Sequence, residues 1–337
     1  MKITVLDDEH GVVCNLAALN VLEGLPVTLQ VHSQRIADET ELIAALRGSA
    51  CAILVRERTR ITVRTLDAVP ELKLIVVIGH RASQIDVDAC RRRGIEVQIA
   101  RGDPVVASEL TWTLILAASR RLVPFAVQRP CDHGRQGSPA PRGERLGRTL
   151  HGRTLGVWAL GRVGARVAAI GHAFGMQVLV HGGEQSRRAA RAAGYRFIGK
   201  RRAFLGAVDV LSLHLPPRRE TLHLIGESDL AAMRADALLV NTSHPELLAP
   251  GALLAALGRG RPGAAALDVH EDEPATVAAY RGHPAILFPP QSERVNADHY
   301  EASFREAFGH VRLFIETQLQ GRKRPLINLA SLLPVAH

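Results

Sequence analysis

Leu155-Gly156-Val157-Trp158 is a short apolar run that leads straight into Ala159-Leu160-Gly161-Arg162-Val163-Gly164. The spacing is that of the phosphate-cradling turn G-x-G-x-x-G, with alanine where the first glycine is expected. In such a turn the first glycine permits the tight bend, the second lets backbone approach a pyrophosphate, and the third lets helix and strand pack closely. Gly161 and Gly164 keep the second and third roles. The following segment has helical spacing from Arg162 to Phe174, which would present free N–H groups and a positive dipole end to a phosphate. An ordinary glycine-rich strand-to-helix turn would read the same way over these ten residues.

A second chemical feature follows about 20 residues later. The next strand ends Val178-Leu179-Val180-His181-Gly182-Gly183-Glu184-Gln185-Ser186-Arg187-Arg188. An acid at the end of this strand usually binds the ribose hydroxyls of a dinucleotide, and here Gly182 holds that place. Without the carboxylate, and with Ser186 and Arg187 close behind, a 2′-phosphate is tolerated and gripped, so NADPH is expected over NADH. Glu184 as a shifted ribose ligand, or arginines that only solvate a helix start, are the alternatives.

The elements that must position these groups alternate along the chain. Apolar runs at Ile3 to Leu6, Thr28 to His32, Ala52 to Val55, Leu74 to Ile78 and Glu96 to Ile99 are separated by helical spacings, Gly11 to Glu23 among them. A second series runs from Thr154 to Phe288, with a long helix expected around Ser108 to Arg121 and a final one from about Asp298 to Leu319. The pattern implies two α/β domains with doubly wound parallel sheets.

Composition excludes several classes. The chain has 337 residues, 47% hydrophobic and 22% charged, enough for two domains with their own cores. No apolar run is long enough to span a bilayer, and the opening segment reads as a first strand rather than a secretory leader. Cys14, Cys51, Cys90 and Cys131 are widely spaced, so no metal site is expected and the thiols suit a reducing cytoplasm. The net charge of +9 is concentrated between Arg120 and Arg153, where eight arginines stand against Asp132 and Glu144. Prolines and glycines make that stretch a loop, and aromatic residues amount to 4%, so nucleic-acid binding is not expected. Attraction of a small anion is the functional alternative to a solvated linker.

Motifs in order along nearly the whole chain resemble the D-isomer-specific 2-hydroxyacid dehydrogenase family. They are Ile75 to Asp86 with Gly79-His80-Arg81, Ala107 to Leu114, Leu150 to Gly156, Asp209 to Pro216, Leu239 to Ser243 and Ala266 to Pro274. The resemblance implies a Rossmann-like cofactor domain, 103–297, inserted into a flavodoxin-like substrate domain made of 1–102 plus 298–337, with members forming homodimers. It also implies a small anionic 2-keto or 2-hydroxy acid as substrate and NAD(P) as cofactor. Substrate contacts then fall to Gly79, His80 and Arg81. Cofactor contacts fall to Ala159, Gly161, Arg162, Val163, Gly164, Ser186, Arg187, His214, Pro216, Thr242 and Asp268.

The catalytic positions depart from the pattern. The family grips the carboxylate and carbonyl with an arginine, donates a proton from a histidine, and keeps that histidine charged with a glutamate. Glu273 keeps the glutamate place, but His244 stands at the arginine position and Gln291 at the histidine position. A histidine lacks the bidentate fork of a guanidinium, and a glutamine donates a hydrogen bond but no proton. Arg81, Arg294 and His270 are candidates to compensate. Two functions therefore stand open: a 2-keto acid reductase with an altered catalytic set, and a nucleotide-binding or sensing protein that has lost turnover.

Overall fold

A computed structural model describes residues 1–55, 58–79, 82, 84–122, 146–216, 218–268, 274–289 and 296–319. The chain divides into two compact units, one of Met1–Asp103 together with the stretch from Ala297, the other of Pro104–Asn296. Both are built on a parallel sheet.

The first unit carries β1 (Lys2–Leu6), β2 (Thr28–Val31), α1 (Glu39–Leu46), β3 (Ser49–Val55), α2 (Val63–Ala68), β4 (Leu74–Ile78), α3 (Val87–Arg92) and β5 (Glu96–Ala100). Its sheet has the order β2-β1-β3-β4-β5 with every pair parallel. This is the flavodoxin-like order, with its switch point between β1 and β3. β4 reads Leu-Ile-Val-Val-Ile without alternation because both of its faces are buried. Ile3, Val5, Ile53 and Val76 face one apolar layer, which the final long helix supplies with Phe304, Phe308 and Val311. Leu6, Leu54, Ile75 and Val77 face the other, against Leu46, Leu66 and Cys90. Side-chain caps start α1, α2 and α3: Asp38 accepts from Glu41 N at 2.9 Å, Thr62 from Thr65 N at 3.2 Å, and Asp86 from Ala89 N at 2.8 Å.

Between β1 and β2 the helical spacing of Gly11 to Glu23 is realised as two short 3₁₀ helices, Val13–Asn15 and Ala17–Leu22, and not as one α-helix. Leu16 is extended (φ −77°, ψ 135°) and interrupts the turn, while the buried Val13, Ala18 and Leu22 keep the apolar face that the spacing signals.

The second unit opens with α4 (Pro104–Arg120), whose proline occupies the first helical position, where the missing N–H costs nothing. Then follow β6 (Thr154–Trp158), α5 (Arg162–Ala173), β7 (Gln177–His181), α6 (Glu184–Ala192), β8 (Arg196–Phe197), α7 (Arg201–Ala207), β9 (Val210–Leu213), α8 (Glu227–Ala232), β10 (Leu238–Asn241), α9 (Ala252–Gly258), β11 (Ala264–Leu267), α10 (Pro274–Gly282) and β12 (Ile286–Leu287). The helix α11 (Ala297–Leu319) returns to the first unit. The seven strands are ordered β12-β11-β10-β9-β6-β7-β8, all parallel, so the winding reverses between β6 and β9. That is the Rossmann arrangement, and ligands bind outside the carboxyl ends of strands at such a reversal.

α4 is locked to α5 by polar as well as apolar contacts. Trp112 Nε1 donates to the Val167 carbonyl at 3.2 Å and its ring stacks on Phe174 at 5.0 Å. Among the described residues no helix is long and apolar enough to cross a membrane. Burial pushes the thiols of Cys51 and Cys90 up to about 12 and about 11, so both serve as core packing.

Candidate functional site

The glycine turn lies at the carboxyl end of β6, beside the reversal. Ala159 adopts φ +76°, the left-handed region that an L side chain disfavours. The first glycine position thus asks for a backbone conformation, which alanine meets at a cost. Ala159 N donates to the His181 carbonyl at 2.8 Å, and Leu160 N donates to Ser186 Oγ at 3.1 Å.

Gly161 is the N-cap of α5, extended at φ −87° and ψ −161°, and its carbonyl accepts from Ala165 N at 2.9 Å. A Cβ on Gly161 would meet nothing within 4 Å, so the space before the helix end is open. A Cβ on Gly164 would lie 2.3 Å from the Ala159 carbonyl oxygen, so that glycine is required by packing. The first-turn N–H groups of α5 point out of the N-terminal end of the helix. An open approach in front of these donors fits the pyrophosphate of a dinucleotide.

At the end of β7, Gly182 has φ +148° and a Cβ there would stand 2.8 Å from Ser186 Oγ. Ser186 is 8% exposed, its hydroxyl turned inward onto Leu160. Arg187 is exposed, with its guanidinium 5.9 Å from the centre of the Phe197 ring. Glu184 is engaged by Arg188 at 3.2 Å and, more loosely, by Arg187 at 4.0 Å.

Across the reversal, the ends of β9, β10 and β11 bring further predicted residues to the same edge of the sheet. His214 N donates to the Trp158 carbonyl at 3.0 Å, tying the end of β9 to that of β6. Its Nε2 lies 2.9 Å from Ser212 Oγ, and desolvation of the partly buried ring pushes its pKa down to about 4. His214 is therefore neutral at physiological pH, with one ring nitrogen able to donate and the other able to accept. Pro216 is exposed, its carbonyl accepting from Thr221 Oγ1 at 2.7 Å.

The loop after β10 is a polar lattice. Asn241 is fully buried, its Nδ2 donating to the His244 carbonyl at 2.8 Å and its Oδ1 accepting from Ser243 N at 3.1 Å. Ser243 Oγ donates to the Leu213 carbonyl at 2.7 Å, and Thr242 Oγ1 lies 2.7 Å from Thr111 Oγ1 of α4. This lattice fixes the backbone of His244, a half-buried residue that caps the 3₁₀ turn Pro245–Leu247. Asp268, at the end of β11, is 7% exposed and its N–H donates to the Asn241 carbonyl at 3.1 Å.

Gly79 follows β4 in the first unit, with its N–H on the Ala100 carbonyl at 3.0 Å. His80, Arg81, Glu273 and Gln291 lie outside the described residues, as do His270, Arg294, Cys131 and most of the basic stretch. Among the described residues no group of three or more His, Cys, Asp or Glu side chains could hold a metal ion.

Some site contacts do not follow from the sequence analysis. Ser212 lies in β9 and His214 just past its end, two residues on, and that spacing is a usable signal. Thr111 and Thr242 are 131 residues apart, and nothing in either segment announces their contact.

Comparison with known proteins bears on the same region. Residues 112–291 match the family model described as D-isomer specific 2-hydroxyacid dehydrogenase, NAD binding domain. The chain is 38% identical over 272 residues to a glyoxylate reductase of Aeropyrum pernix, covering 80% of this chain and 78% of that one. It is 32% identical over 285 residues to a D-3-phosphoglycerate dehydrogenase of Archaeoglobus fulgidus, covering 84% of this chain and half of the relative's length (50%). A crystal structure of a phosphoglycerate oxidoreductase from Vibrio cholerae o395 superimposes with a TM-score of 0.77 at 40% identity, over 94% of this chain and 99% of that one.

Proposed function

Since the chain belongs to the D-isomer-specific 2-hydroxyacid dehydrogenase family, we propose that it moves a hydride between a nicotinamide dinucleotide and a small anionic 2-keto or 2-hydroxy acid, using an altered catalytic set. The observation that carries this reading is the turn at the β6/β9 reversal, where Gly161 leaves the helix end open and Gly164 packs against the strand. When bound, the nicotinamide supplies or accepts the hydride. The residues of this chain bind, orient and handle the proton.

In this reading Gly161, Arg162, Val163 and Gly164 take the pyrophosphate, and the strand-end residues His214, Pro216, Thr242 and Asp268 line the rest of the cofactor. Gly79, His80 and Arg81 take the substrate carboxylate, the first two through backbone groups. His244 supplies a hydrogen-bond donor where relatives place a guanidinium. Glu273 and Gln291 complete the set, with Gln291 holding the carbonyl by hydrogen bond and the proton coming from another group or from water. NADPH is preferred, because Gly182 offers no carboxylate to the ribose and Arg187 stands exposed one helical position beyond Ser186. The same reading carries a homodimer, and a reducing cytoplasm in which the thiols stay free.

A second reading is favoured by the paired replacement at His244 and Gln291. It keeps the nucleotide site and assigns the protein to binding or sensing without turnover. Titrating NADPH and NADH by nicotinamide fluorescence, followed by assay of a panel of 2-keto acids beginning with glyoxylate and hydroxypyruvate, separates the two. Binding of both, tighter for NADPH, with measurable turnover is the expected result. Binding without turnover selects the second reading, and absence of binding overturns both.

A further inference from the structure

The left-handed Ala159 and its neighbour Leu160 are held by two hydrogen bonds, one from the last residue of β7 and one from the first turn of α6. On one side Ala159 N meets the His181 carbonyl at 2.8 Å; on the other, Leu160 N meets Ser186 Oγ at 3.1 Å. The first is a backbone contact that any residue could make. The second depends on one side chain, whose hydroxyl is almost fully withdrawn from water.

Gly182 is tied to the same contact. A Cβ on it would stand 2.8 Å from Ser186 Oγ, 3.0 Å from Ser186 Cβ and 3.5 Å from Ala159 Cα. Any side chain at 182 would push the serine off Leu160. An acid at 182 would therefore displace the serine, so the missing ribose-binding acid and the serine contact are coupled.

We propose that Ser186 is a positioning residue, a latch that holds Leu160 and keeps Ala159 left-handed so that the N–H groups after Gly161 face the pyrophosphate. This rests on the dinucleotide reading above. An alanine at φ +76° prefers to leave that region, whereas a glycine there has no such preference. The latch thus compensates for the alanine. It also places the serine hydroxyl on the protein's own backbone, not on a 2′-phosphate.

The test uses Ser186→Ala in the full chain, alone and combined with Ala159→Gly, with two readouts. Without nucleotide, hydrogen exchange at the Leu160 amide is expected to quicken about tenfold in Ser186→Ala while the Val157 amide in β6 is unchanged, showing the fold intact. The Kd values for NADPH and NADH are expected to rise together by about three- to tenfold, and to recover when Ala159→Gly is added. Unaltered exchange at Leu160 overturns the latch. So does a loss confined to NADPH, which would put the hydroxyl on the phosphate, or a failure of Ala159→Gly to recover affinity. Should the wild-type chain bind neither nucleotide, the dinucleotide reading fails, and the exchange experiment still decides whether the serine holds the turn.

Discussion

The carbonyl oxygen of Ala159 occupies the place where a side chain on Gly164 would have to begin, 2.3 Å from its Cβ, with Val157 Cγ1 3.2 Å away on the strand behind. One residue's backbone therefore decides the identity of another five positions on, and it does so independently of any ligand.

Gly164→Ala is accordingly expected to destabilise the protein by about 3 kcal/mol, since strand or helix must shift to admit the methyl group. Gly161→Ala makes the contrast: its Cβ meets nothing within 4 Å, so the urea midpoint should move little while dinucleotide affinity falls at least tenfold. Urea unfolding and nicotinamide fluorescence on the two variants check both halves.

Ala159→Gly should raise stability by about 1 kcal/mol. Relief of the left-handed conformation outweighs the extra freedom glycine brings to the unfolded chain. A thermal midpoint equal to or below that of wild type would count against strain at this residue.

His214 gives the protein an acid-side weakness. Its folded pKa of about 4 lies below the ordinary value of 6.5, so the unfolded chain takes up a proton first as pH falls. Stability is retained above pH 6.5 and is lost on the way down to pH 4, by about 2 kcal/mol between 6.5 and 5. His214→Gln removes the titrating ring and should flatten this stretch of the pH–stability profile relative to wild type.

Asp7 works in the opposite sense. It is 2% exposed, left-handed at φ +66°, and bonded through Oδ2 to the Thr59 hydroxyl, while Oδ1 has no hydrogen-bond partner among the described residues. Burial raises its pKa, against weaker lowering by Thr59, Arg58 and Arg35. A raised acid contributes stability below its unfolded pKa, and that contribution is lost as pH climbs through the folded one. Asp7→Asn should therefore stabilise the protein at pH 7 and lose that advantage near pH 3. Denaturation at the two pH values reads out the crossover.

Turnover supplies the last prediction. If Gln291 has replaced a proton donor, Gln291→His together with His244→Arg should raise kcat for 2-keto acids by roughly 10² to 10⁴, the usual worth of general acid catalysis. A steady-state assay suffices, and no gain in the double variant would mean that the altered set is not what limits the rate.

Much of this architecture is legible in local sequence because the local pattern and the buried layer agree. The unbroken Leu-Ile-Val-Val-Ile of β4 states that both faces are covered, and Asp38, Thr62 and Asp86 announce their helices as caps. The stretch from Gly11 is less transparent. Its apolar spacing is genuine, but an extended Leu16 divides it, a feature imposed by packing and not by propensity. α7 and α10 have no sequence-based expectation; both are short, and Lys200 before α7 makes no side-chain cap. At the site, the roles of Gly161 and Gly164 follow from spacing alone. The inward turn of Ser186 does not, since nothing around a serine beside two arginines announces that its hydroxyl accepts from Leu160 N, 26 residues earlier.

The return of α11 to the first unit sets an order of events during synthesis. Glu306 accepts from the N–H groups of Arg101 and Gly102 at 3.0 and 2.9 Å, and Phe304, Phe308 and Val311 cover one face of the first sheet. Until those residues leave the ribosome, Ile3, Val5, Ile53 and Val76 lack the cover of that helix, whereas the Pro104–Asn296 unit has been synthesised in full. The half of the molecule that is begun first is completed last, so truncation or stalling near residue 296 leaves a finished nucleotide-binding domain attached to an adhesive, half-built one.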